Sequence, residues 1–199
     1  MLVVIDYDAG NTYNVGNALR RLGAEFVLSG DPAVVSRASR VILPGVGSAS
    51  AAMTSLRRQG LADVIPRLSV PFLGICLGLQ LLFERSDEEN TPCLGVLPGT
   101  IRKFDRDRVK VPHIGWNRVA WASARPSPAD GLLTGQQSEE YFYFVHSYYA
   151  PLCEATLAET EYDVAFSSSV VRNNFLGVQF HPERSAEPGL RLIENFLHL

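Results

Sequence analysis

The chain has 199 residues, is 46% hydrophobic and carries a net charge of only −3. That is enough for a well-buried core of ordinary globular composition. There is no basic cluster to hold nucleic acid, no apolar run long enough to span a membrane, and no basic-then-apolar leader pattern.

The three cysteines, Cys76, Cys93 and Cys153, are scattered and odd in number. They make no disulfide framework, and a reducing, cytoplasmic setting is expected. Leu2-Val3-Val4-Ile5 is an unbroken apolar run and predicts a strand covered on both faces. Asp8-Ala9-Gly10-Asn11 reads as a turn. A helix is expected over about residues 13–22, with Val15, Ala18, Leu19 and Leu22 on one face and Gly23 as its stop. Residues 25–29 read as a second strand. Asp31 is suited to cap a short helix whose first residue is Pro32. Val41-Ile42-Leu43 predicts a third strand, running into Pro44-Gly45-Val46-Gly47. Helices follow over about residues 49–58 and 61–68. This alternation argues for a parallel α/β sheet.

The next stretch carries the chemistry. Val70-Pro71-Phe72-Leu73-Gly74-Ile75 reads as a buried strand, and Leu77-Gly78-Leu79-Gln80-Leu81-Leu82-Phe83 as a helix. Cys76 sits at the junction, with a glycine two residues to either side. This is the G-x-nucleophile-x-G elbow with cysteine in place of serine. A thiolate at a helix N-terminus is a nucleophile favoured by the macrodipole, and the N–H of Leu77 is suited to hold an oxyanion. The same cysteine, taken alone, also fits a small buried hydrophobe at a strand end.

Beyond Phe83 the pattern changes. Residues 87–92 are polar and loop-like. Short strands are expected around residues 94–96, 101–104, 109–111 and 117–121. Residues 123–137, rich in Ser, Pro, Ala and Gly, read as a long surface connection. Further strands are expected over 141–145, 155–160, 164–171 and 175–180, then a last helix over about 189–197. One unit spanning residues 1–199 is expected, with a parallel α/β half and a strand-rich half sharing a core.

Gly177-Val178-Gln179-Phe180-His181-Pro182-Glu183 supplies partners for the cysteine. If the strand continues through Pro182, His181 and Glu183 project to one side. The carboxylate can then fix the imidazole, completing a nucleophile–base–orienter set. His-Pro-Glu alone fits a surface ion pair at a strand end better; it is Cys76 at the edge of a parallel strand that brings the two into one crevice. Pro44-Gly45-Val46-Gly47 can turn backbone N–H groups toward an anion, or be a plain strand-to-helix turn. His113, His146 and His198 show no metal-ligand spacing and read as ordinary polar residues.

Gly74-Ile75-Cys76-Leu77-Gly78-Leu79-Gln80 with His181-Pro182-Glu183 resembles the class I (triad) glutamine amidotransferases. Pro44-Gly45-Val46-Gly47, Pro112-His113-Ile114-Gly115-Trp116-Asn117 and Phe144-Val145-His146-Ser147-Tyr148 are similar to segments of the glutaminase subunits of imidazole glycerol phosphate synthase. The resemblance implies a three-layer α/β fold: a central, mostly parallel sheet flanked by helices, with an added antiparallel part. It implies that Cys76 attacks the carboxamide carbon of L-glutamine, that His181 is base and acid, and that Glu183 orients it. The oxyanion would rest on Leu77 and on the turn at Val46 and Gly47. Gly47, Gln80, Ser147 and Tyr148 would hold the substrate.

The same resemblance implies no cofactor and no metal. It implies a heterodimer in which ammonia passes to a (β/α)8-barrel cyclase subunit, with Asn11, Asn14 and Trp116 at the interface. Two departures stand out. Arg184 replaces the family's usual lysine after His-Pro-Glu, and Ser48-Ala49-Ser50 is small where an aromatic is common. The rival readings are a glutaminase serving a pyridoxal phosphate synthase, and an elbow-cysteine redox sensor. The first typically carries Gly-Gly-Glu-Ser where this chain has Pro44-Gly45-Val46-Gly47, and the second does not need Glu183.

Overall fold

A computed structural model describes residues 1–8, 11–122 and 129–199. The expected turn residues Ala9 and Gly10, and residues 123–128 of the expected surface connection, lie outside them. The first half alternates as its sequence predicts: β1 (Leu2–Ile5), α1 (Thr12–Arg21), β2 (Phe26–Ser29), α2 (Pro32–Val35), β3 (Arg40–Gly45), α3 (Ala49–Arg58), α4 (Leu61–Val64), β4 (Phe72–Cys76) and α5 (Leu77–Gln80). The second half adds β5 (Phe83–Ser86), β6 (Thr91–Pro92), β7 (Leu97–Lys103), β8 (His113–Trp121), α6 (Ala129–Leu132), β9 (Glu139–His146), β10 (Tyr148–Pro151), β11 (Thr156–Tyr162), β12 (Val164–Arg172), β13 (Phe175–Val178) and α7 (Ala186–Leu197).

The strands join in the order β2-β1-β3-β4-β13-β12-β10-β7-β5-β6, with β11, β8 and β9 branching from β12. From β2 to β13 every pairing is parallel; β12 then turns the sheet antiparallel. Alternation along each buried strand feeds two cores. Leu2, Val4, Ile42, Leu73 and Ile75 face α1 and α7. Val3, Ile5, Val41, Leu43 and Phe72 face α2, α3 and α4. That gives the three expected layers.

Caps explain where the helices start. Asp31 Oδ1 accepts from Ala33 N–H at 2.8 Å, with Pro32 at the first helical position. Ser48 Oγ accepts from Ala51 N–H at 3.3 Å.

Several boundaries differ from the sequence reading. The helix after Cys76 is a single turn, and Phe83 begins β5 instead of ending the helix. Leu77, Leu79, Leu81 and Leu82 are all buried, so no apolar stripe existed to measure its length. The chain is captured instead by partners from afar: Leu94 N–H donates to Leu81 O and Leu97 N–H to Leu82 O. Residues 94–96 and 109–111 are loop, not strand. The strand expected from residue 101 begins at Leu97, and β10 had no reading of its own. The last helix begins at Ala186, ahead of Gly189. The strand expected over 175–180 stops at Val178.

Candidate active site

β4 lies between β3 and β13, and its register puts Gly45 opposite Cys76 and Val178 opposite Ile75. Cys76 ends the strand with φ 55° and ψ −108°, a strained backbone for a residue with a Cβ. The flanking glycines make the bend possible. A Cβ on Gly74 would stand 2.6 Å from Gly78 O, and one on Gly78 would run into Leu43 O. The single turn of α5 carries little of the macrodipole that a longer helix supplies. A nucleophilic sulfur here therefore needs a side-chain partner.

That partner is His181. Burial opposes a charge on its ring, but the Cys76 thiolate and then Glu183 outweigh it and push the pKa up to about 10. His181 Nδ1 lies 2.8 Å from Glu183 Oε1, with both side chains almost fully buried. Their pairing does not come from strand alternation. After Val178 the chain bends, and Pro182–Arg184 forms a 3₁₀ turn because Pro182 has no N–H for a ladder. The turn is fastened to β9. His181 N–H donates to Tyr143 O at 2.9 Å, and Ser185 Oγ accepts Tyr143 N–H at 2.9 Å while donating to His181 O at 2.6 Å.

A cavity of about 310 Å³ opens over the sulfur. It gathers Val46, Gly47, Cys76, Leu77, Gln80, Ser147, Tyr148 and His181, from segments far apart in sequence. Glu183 sits behind His181 and lines a second groove with Asn14 and Arg184. Gly47 has φ 92°, a conformation open to glycine and strained for other residues. Gln80 Nε2 already donates to Tyr148 O at 2.9 Å and to Gln179 Oε1 at 3.0 Å, so its two amide hydrogens are engaged inside the protein.

The remaining residues expected at an interface divide. Trp116 is about half exposed on β8 and meets the Tyr143 ring edge-on, with centroids 6.2 Å apart. Arg184 lies over the same ring at 4.6 Å, so the arginine that replaces lysine gains a cation–π contact. Asn14, Arg184, Tyr143 and Trp116 thus form a continuous surface behind Glu183. Asn11 adjoins it through Asn14: its Oδ1 caps α1 by accepting from Asn14 N–H at 3.3 Å.

Sequence reasoning missed several groups here. Glu88, read as part of a polar loop, lines the cavity, and its Oε2 accepts from Ala49 N–H at 2.7 Å. Tyr7 is fully buried and donates to Pro44 O at 3.0 Å; burial, then the Cys76 thiolate, raise its pKa strongly. Gln179 Nε2 donates to the Cys76 sulfur at 3.6 Å. Only Gln179 stood next to a motif, and nothing in its neighbours marked which way it pointed.

Residues 3–199 match the family described as glutamine amidotransferase class-I. The chain belongs to that family. This amidotransferase is 44% identical to the imidazole glycerol phosphate synthase subunit HisH 2 of Legionella pneumophila (strain Paris), over all of this chain and 98% of the relative. It is 46% identical to the HisH subunit of Xylella fastidiosa (strain Temecula1), over all of this chain and 97% of the relative. Among solved structures it is similar in fold to PurLQS from Thermotoga maritima, with a TM-score of 0.75 at 19% identity, covering 99% of this chain and 97% of that one. A crystal structure of a glutamine amidotransferase superposes with a TM-score of 0.74 at 20% identity, over 98% and 97%. No helix among the described residues is long and apolar enough to cross a membrane.

Proposed function

We propose that the chain is the glutaminase subunit of an imidazole glycerol phosphate synthase, forming one glutaminase unit across residues 1–199. Full-length relatedness to HisH subunits supports it. The observation that carries the chemistry is the convergence of a strained cysteine, a buried His–Glu pair and a small cavity.

In this reading the Cys76 thiolate attacks the carboxamide carbon of glutamine. The oxyanion rests on Leu77 N–H and on backbone N–H groups at Val46 and Gly47. His181, held protonated, gives its proton to the leaving nitrogen of the tetrahedral adduct, the C–N bond breaks, and ammonia departs to leave a thioester on Cys76. The neutral imidazole then takes a proton from water, and the hydroxide attacks the thioester. Glutamate leaves, and the thiolate–imidazolium pair is restored. Glu183 accepts from Nδ1–H throughout, fixing the ring.

Gln80, Ser147 and Tyr148 bound the end of the cavity that takes the amino-acid head. Among the described residues Glu88 is the one carboxylate in the lining, and in this reading it faces the α-ammonium group. Glu88→Gln therefore raises KM for glutamine about tenfold with little change in kcat, because the contact is the same in substrate and transition state. Steady-state kinetics on the assembled enzyme check the split.

The ammonia acceptor is a (β/α)8-barrel cyclase subunit, bound as a heterodimer through the surface of Asn14 and Trp116, with Asn11 shaping its edge. Ile114, Trp116 and Tyr141 stand exposed on the β8–β9 hairpin, as a partner face requires. Co-purification with such a cyclase, and glutamate release with and without it, test the assignment. Trp116→Ala is expected to weaken the complex by about 2 kcal/mol or more, as truncation of a buried aromatic anchor does. A chain that releases no glutamate in either state overturns the proposal.

A further inference from the structure

Two runs of hydrogen bonds, one from the surface and one ending on the nucleophile, meet at Tyr148 O, and the reaction above does not use them. Tyr148 O can only accept. It lies 2.8 Å from His146 Nδ1, so that nitrogen carries the hydrogen and His146 Nε2 is an acceptor. His113 Nδ1, 2.9 Å from His146 Nε2, must then be the donor, which leaves His113 Nε2 to accept. The other end agrees. Asn117 Nδ2 donates to Glu161 O at 3.0 Å and lies 3.3 Å from His113 Nε2, while Asn117 Oδ1 accepts Arg118 N–H. Both tautomers follow from the two ends independently. Burial keeps both rings neutral, pushing His113 down to about 4 and His146 down to about 3.

The second run shares the acceptor Tyr148 O. Gln80 Nε2 donates to that oxygen and to Gln179 Oε1. An amide offered a sulfur can turn either its oxygen or its nitrogen toward it. Gln179 has no such choice, because its oxygen is held by Gln80. Its Nε2–H is left aimed at Cys76 Sγ, 3.6 Å away, on a side chain fully buried behind the nucleophile.

We propose that Gln179 is a positioning residue that holds an N–H on the Cys76 sulfur and favours its thiolate, and that Gln80 sets the direction of that amide. The opposing contact is Val145 O, 3.8 Å from the sulfur, which accepts from the thiol and offers nothing to the thiolate. The titratable groups around the sulfur are His181 and Glu183 after β13, Tyr7 after β1, Glu88 after β5 and His146 at the end of β9. None of them is altered by replacing Gln179 with an uncharged side chain of equal length.

This inference deepens the proposed reaction at Cys76, but its test needs no turnover. Alkylation of Cys76 by iodoacetamide is followed by mass spectrometry on the full chain, from mildly acidic to alkaline pH. Gln179→Met is expected to move the rise of the alkylation profile about one pH unit upward, slowing alkylation about tenfold on that rising limb, the order expected from one lost hydrogen bond to a charged group, and to leave the alkaline plateau at the wild-type rate. Gln80→Met lies between, since the freed amide then samples both orientations. A wild-type pH profile in Gln179→Met, or a loss by the same factor at every pH, overturns the proposal. So does a Gln80→Met profile identical to wild type, for the orienting half. Independently of any variant's folding, the Gln179 side-chain amide resonances of the unmodified protein shift when Cys76 is alkylated; unmoved resonances overturn the proposal. Failure of the glutaminase reading itself shows elsewhere, as glutamate release that survives Cys76→Ala.

Discussion

Cys76→Ala eliminates glutamine-dependent synthesis in the assembled enzyme and leaves synthesis from added ammonia at its wild-type level. In the proposed reaction the sulfur serves only the cleavage of the amide, and acceptor chemistry belongs to the proposed partner, which receives ammonia whatever its source. Loss of the nucleophile from a triad costs on the order of 10⁶ in turnover, so residual glutamate release falls to background. Alanine leaves the elbow strained, because φ 55° at residue 76 is imposed by the packing of Gly74 and Gly78, not by sulfur. The variant should therefore still bind its partner. Parallel assays with glutamine and with an ammonium salt decide the matter. Equal loss of both activities removes the two-site arrangement.

His181→Ala lowers glutaminase turnover by about 10²–10⁴, the range for a general acid–base group. Glu183→Gln costs less, because an amide still accepts from Nδ1–H and only the charge is lost. The pH dependence carries the sign. His181 in the free enzyme is raised to about 10 by the Cys76 thiolate and Glu183, against burial. It is therefore protonated, and ready to give its proton to the leaving nitrogen, through neutral pH. kcat/KM declines as pH rises toward 10. In Glu183→Gln that alkaline limb moves to lower pH, since one of the groups holding the proton has lost its charge. Profiles of kcat/KM for wild type and Glu183→Gln test this, and a limb unmoved by the substitution removes Glu183 from the orienting role.

The layered fold could be read from the chain because its signals are local. Unbroken apolar runs at Leu2–Ile5 and near Val41 mark strands buried on both faces, and the Asp31-Pro32 cap marks a helix start. The elbow was legible for the same reason, since Gly74, Cys76 and Gly78 all act within one turn. The extent of α5 was not. Its leucines are buried on every side, and the strand that captures Leu81 and Leu82 comes from a dozen or more residues later.

The candidate site divides along the same line. His181 and Glu183 were found from their spacing, although they meet through a 3₁₀ turn and not a strand. Glu88 and Tyr7 enter only through tertiary packing, and no neighbour in sequence announces them. His146 read as an ordinary polar residue because hydrogen bonds with Tyr148 O and His113 depend on how β9, β10 and β8 are laid together.

The position of β13 has a consequence for biosynthesis of the protein itself. β4, which carries the cysteine, has β3 beside it early, but its other neighbour comes from residues 175–178. Gln179 and Cys76 are separated by 103 positions in the chain. A long loop must close before that strand is inserted, and such non-local pairings form late and slowly. A polypeptide emerging from the ribosome therefore exposes its cysteine elbow long before the imidazole can reach it. During that interval the thiol lacks the histidine that closes its cavity, although the other lining residues precede β13 in the chain. Insertion of one short strand brings histidine and carboxylate to the cysteine together, so the proposed chemistry waits on a pairing that spans most of the chain.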